Sequence, residues 1–85
     1  MEHRTETRVG LISIIVKDTK VIEQLNEILH AYRDYIIGRM GIPYREKSIQ
    51  IISVAIDAPQ DVVNALSGKI GRLSGVSSKV AYANE

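Results

Sequence analysis

The sequence predicts an α+β fold, a four-stranded antiparallel sheet with two helices packed on one face. Three observations carry that reading. Two segments repeat apolar residues at helical spacing, four others are of strand length with two of them rich in β-branched residues, and the two kinds follow one another as βαββαβ. At 85 residues and 45% apolar, the chain has enough material for one small core and is too apolar to stay disordered.

Val9 to Val16 is almost wholly apolar and β-branched, which reads as the first strand. Asp18 or Thr19 follows as an N-cap, because a side-chain oxygen can accept from the free N–H groups of the first helical turn. Val21, Ile22, Leu25, Ile28, Leu29 and Tyr32 fall on one helical stripe, with Glu23, Asn26, Glu27 and His30 opposite. Tyr35 to Met40 reads as a short second strand, interrupted by Gly38 and closed by Gly41 and Pro43. Glycine and proline in such a segment place it at the sheet edge, where a missing ladder bond is tolerated.

Tyr44 to Lys47 reads as a polar turn, and Ser48 to Ile56 as the third strand. Asp57, Ala58 and Pro59 open the second helix, with proline in its first turn. Its stripe is Val62, Val63, Leu66, Ile70 and Leu73, and Gly75 is its C-terminal cap. Val76 to Tyr82 is the fourth strand, with Val76, Ser78, Val80 and Tyr82 on one face. This order is that of the ferredoxin-like sandwich. Right-handed crossovers then place the strands 4-1-3-2, with the first and third central. Residues 1–85 are expected to form one domain, with short flexible tails at 1–7 and 83–85.

A sheet roofed on one side only should alternate apolar and polar residues. The central strands do not. Ile12, Ile14, Val16, Ile52, Val54 and Ile56 form one apolar set, and Val9, Leu11, Ile15, Ile49 and Ile51 form a second that no helix can cover. At roughly 1.5–3 kcal/mol per buried aliphatic, leaving five in water forgoes about 10 kcal/mol. Val9, Leu11, Ile15, Ile49 and Ile51 are therefore the expected interface of a homodimer or homotetramer; the alternative is a monomer with a greasy face. On the second helix, Asn64, Ser67, Gly68 and Gly71 lie opposite the stripe. Either another backbone approaches this smooth face, or the helix frays after Ser67.

Several function classes are excluded. A net charge of +1 gives no bulk attraction to nucleic acid or anionic membrane. No apolar run exceeds four residues, so neither a membrane span nor a signal peptide is expected, and the cytoplasm is the expected location. The absence of cysteine rules out disulfides, thiolate metal sites and a cysteine nucleophile. His3 and His30 read as surface histidines, and the carboxylates as caps and solvated charges, so no catalytic residue, metal site or cofactor is expected. Gly68-Lys69 is not a phosphate loop, because Val63 stands where the earlier glycine belongs and Ile70 follows. The central strands carry no aromatic residue, which argues against RNA recognition by base stacking.

A mild basic cluster remains, around Arg39, Arg45, Lys47, Lys69, Arg72 and Lys79. Gly38, Arg39 and Gly41 in one segment, and Lys69 and Arg72 in another, combine glycine N–H groups with cations. Such a set can hold a carboxylate or phosphate; the alternative is a solvated basic rim with turn glycines.

The run Ile37-Gly38-Arg39-Met40-Gly41-Ile42-Pro43, the run from Ala65 to Val76, and Leu25-Asn26-Glu27-Ile28-Leu29-His30 together resemble a known family. It is the small family of candidate regulators of the iron-only hydrogenase system, in the ACT-like superfamily that also contains the C-terminal domain of the nickel-responsive repressor. The resemblance runs from about Arg8 to Tyr82. It implies a ferredoxin-like, oligomeric regulatory domain without catalysis, with hydrogenase-system proteins as partners. The repressor's histidine–cysteine metal site has no counterpart here, and Met1 to Arg8 is too short for its DNA-binding segment, so direct DNA binding is not expected. ACT domains bind amino acids near the first strand–helix turn, which here is Lys17-Asp18-Thr19 without the usual glycine. Two readings follow. One is a non-catalytic oligomeric regulator. The other is a small-molecule sensor holding an anion or amino acid at a subunit interface through Arg39, Arg72 and nearby glycine N–H groups.

Overall fold

The computed structural model describes residues 6–83. Four strands form one antiparallel sheet: β1 (Arg8–Val16), β2 (Ile36–Tyr44), β3 (Ile49–Ala58) and β4 (Val76–Tyr82). Their order is β2-β3-β1-β4, the expected 4-1-3-2 arrangement read from the other edge. Two helices, α1 (Ile22–Ala31) and α2 (Gln60–Gly71), supply the second layer, so the fold is α+β and ferredoxin-like, as in ACT-like domains.

The core lies between the layers. Ile12, Ile14 and Val16 of β1 and Ile52, Val54 and Ile56 of β3 are buried against Leu25, Leu29, Val63, Leu66 and Ile70 of the helices. Both helical stripes therefore point where their periodicity predicted, and the half-buried Ile22, Ile28, Tyr32, Val62 and Leu73 pack around the rim. Asp18 caps the first helical segment: its Oδ1 accepts from the Lys20 N–H at 2.9 Å, starting the 3-10 turn Thr19–Val21 from which α1 grows.

Several boundaries differ from the sequence reading. β2 does not stop at Met40 but continues through Gly41 and Pro43 to Tyr44, pairing Gly41 with Ile52 and Pro43 with Gln50. An edge strand needs ladder bonds on one side only, so proline does not end it. β3 starts at Ile49 and runs to Ala58, because Ala58 is buried opposite Arg8; Pro59 is then the N-cap of α2, its carbonyl accepting from the N–H groups of Val62 and Val63 at 3.0 Å.

Helix α2 does not fray after Ser67 but continues to Gly71, and its C-cap is Arg72 rather than Gly75. Gly75 instead adopts φ +72 and turns the chain into β4, its carbonyl accepting from the Lys17 N–H at 2.8 Å. Ala83, expected in a loose tail, is tied back by its N–H to the Val9 carbonyl at 3.0 Å. The remaining tail expectations for residues 1–5 and 84–85, and His3 with them, lie outside the described residues.

Candidate functional site

Strand register builds the uncovered face row by row. Ile42, Ile51, Ile15 and Ser77 stand side by side across the four strands; the next row is Met40, Ser53, Ser13 and Lys79, and beyond it Ala55, Leu11 and Ala81. Val9, Leu11, Ile15 and Ile51 are 39–44% exposed, and Ile49 is half-buried beside them. The sequence reading missed the contribution of β2. Because that strand runs to Tyr44, Met40 (61% exposed), Ile42 (51%) and Tyr44 (38%) join the same face. The only signal for them was the alternation Met40, Ile42, Tyr44, which Gly41 and Pro43 concealed. The face is an apolar field crossed near its middle by one polar row, Ser53, Ser13 and Lys79.

The basic residues lie on the helix side. Arg39 faces α1, because its register partner Val54 is a core residue, and its Nη2 donates to Asn26 Oδ1 at 3.2 Å. Lys69 and Arg72 line a separate groove of about 600 Å³ between α1 and α2, with Gln24, Glu27, Ile28, Tyr32 and Leu73. There the Lys69 ammonium stands 5.0 Å from the centre of the Tyr32 ring. Arg39 belongs instead to a groove on the other flank of α1, so the candidate anion ligands Gly38, Arg39, Gly41, Lys69 and Arg72 are not gathered in one pocket of a single chain.

Gly38 and Gly41 lie within β2 rather than in turns, with Gly38 at the register shift that follows Ile36. Gly75 is the one glycine with positive φ among the described residues, and a Cβ on Gly38 would meet nothing within 4 Å. A polar clamp closes the far end of the sheet. The Arg8 guanidinium lies 3.8 Å over the Tyr82 ring and donates to Gln60 Oε1 at 2.8 Å, while Gln60 Nε2 reaches Tyr82 Oη at 2.8 Å and Asn64 Oδ1 at 2.9 Å. Among the described residues, no three His, Asp or Glu side chains converge as a metal site, and no helix is long and apolar enough to cross a membrane.

Comparison with known proteins adds family information. The TM1266-like family model, described as "Iron-only hydrogenase system regulator, putative", matches residues 8–80. Among solved structures, the uncharacterized protein TM1266 from Thermotoga maritima is similar at 36% identity and a TM-score of 0.89, over 93% of this chain and 100% of that one. A formyltetrahydrofolate deformylase from Pseudomonas putida KT2440 shares the fold, with a TM-score of 0.65 at 13% identity over 91% of this chain and 29% of that one. No curated protein matches the chain in sequence.

Proposed function

Because the chain belongs to the TM1266-like family of candidate regulators of the iron-only hydrogenase system, we propose that it is a non-catalytic regulatory module working as a homo-oligomer joined through the uncovered face of its sheet. One observation carries this reading. Seven large apolar side chains, Val9, Leu11, Ile15, Met40, Ile42, Tyr44 and Ile51, share that face at 38–61% exposure. Together they make an exposed apolar patch on the order of several hundred Å², the size at which such patches mark interaction sites. A standard interface buries about 800 Å² on each partner, so a second copy of the same face has the right size.

The polar row supports a copy of this chain as the occupant. Ser13 and Ser53 are register partners on this face; a two-fold axis passing through that pair would set the serines of one copy opposite those of the other, hydroxyl toward hydroxyl. In this reading the assembly acts in the cytoplasm on hydrogenase-system proteins, without binding DNA, RNA or membrane.

Light scattering tests it. The expected result is a multiple of the 9.5 kDa chain at micromolar concentration, with Leu11→Asp and Ile51→Asp each shifting it toward the single-chain mass. A 9.5 kDa species for the unaltered protein overturns it.

A further inference from the structure

The groove on the outer flank of α1 has a chemistry of its own. It encloses about 280 Å³ and is lined by Asn26, Leu29 and His30 of α1, Arg33 of the following 3-10 turn, and Ile36 and Arg39 of β2. Two arginine side chains line it, and each donates to a neutral acceptor. Arg39 Nη2 donates to Asn26 Oδ1 at 3.2 Å, and Arg33 Nη1 to the His30 carbonyl at 2.9 Å. Neutral acceptors fix the orientation of a guanidinium without cancelling its charge, and a guanidinium has five donors. Each arginine thus keeps donors to spare.

No carboxylate is among the lining residues, whereas the larger groove between the helices sets Glu27 opposite Lys69 and Arg72. The buried Leu29 and half-buried Ile36 give the site an apolar floor, which weakens local screening. The Asn26 amide nitrogen and the His30 ring supply further donors. The volume is at the low end for ligand pockets and suits a small polyvalent anion.

From this geometry we propose that Asn26, His30, Arg33 and Arg39 form a binding site for a tetrahedral oxyanion, either inorganic phosphate or the phosphate end of a phosphorylated small molecule. The site lies on the helix layer, away from the uncovered sheet face, and does not depend on self-association.

The test is a titration followed by amide NMR at low ionic strength, using inorganic phosphate, adenosine monophosphate and, at matched ionic strength, sodium chloride. Phosphate should produce saturable shifts centred on Asn26, His30, Arg33 and Arg39, and chloride should not. Losing a charge-assisted contact through Arg39→Gln or Arg33→Gln should weaken binding about tenfold or more, while Lys69→Gln in the other groove leaves it unchanged. Tighter binding of adenosine monophosphate identifies a phosphorylated molecule as the source; equal or weaker binding identifies the free ion. Shifts that match those of chloride, or that survive both arginine substitutions, overturn the proposal. Leu11→Asp should bind phosphate as the parent does, which separates this result from the outcome of the self-association test.

Discussion

A methyl group added at a glycine meets very different surroundings along this chain. At Gly75 it would sit 2.8 Å from the Asp18 Cβ, on a backbone already at φ +72. Left-handed backbone costs an L-residue roughly 1–2 kcal/mol before any clash. Gly75→Ala should therefore lower stability by more than about 2 kcal/mol, read as a fall in the urea midpoint at unchanged slope. At Gly71, the last residue of α2, the same methyl group meets nothing within 4 Å, so Gly71→Ala should raise stability by about 0.4–1 kcal/mol in the same assay, chiefly by restricting the unfolded chain. The sequence distinguishes these glycines poorly, since both look like helix ends; what separates them is the approach of the Lys17–Asp18 turn, a contact between residues far apart in the chain. Ser48 is harder still. It adopts φ 55 after the 3-10 turn Arg45–Lys47, with nothing in its side chain to announce a left-handed position.

Elements were legible wherever one face is buried. Both helices, β1 and β4 announce themselves because burial of one side imposes a period on the residues. β2 has no such imprint: apart from the half-buried Ile36 it is exposed throughout, so its extent is decided by pairing with β3 rather than by its own composition. The caps that begin and fasten the elements are separately testable. Asp18→Ala should cost about 1 kcal/mol of stability by losing the bond to the Lys20 N–H, and Asp18→Asn should restore most of it. At the other end of the sheet, Tyr82→Phe keeps the ring beneath Arg8 but removes the hydroxyl that meets Gln60. A loss of about 0.5–1.5 kcal/mol in thermal or urea unfolding is expected.

For the whole molecule, the consequence of a longer β2 is a wider uncovered face. Its added residues make a prediction that the shorter strand would not. Ile42→Asp places a charge beside Ile51 at the edge of the apolar row and should dissociate the proposed assembly as Leu11→Asp does, seen as a drop in mass by light scattering with the circular dichroism of the folded chain retained. A mass unchanged by Ile42→Asp would confine the contact to β1 and β3. Residues alone settled the fold class, the strand order and the two apolar sets of the central strands, because alternation along a strand and stripes along a helix are local records of what is buried. They did not settle how the basic residues group. Arg39 and Arg72 belong to one basic cluster in the sequence, yet α1 packs between their grooves, and Arg39 instead joins Arg33 and His30. Which charges share a pocket is a property of how helices sit on a sheet, and no periodicity in the chain encodes that.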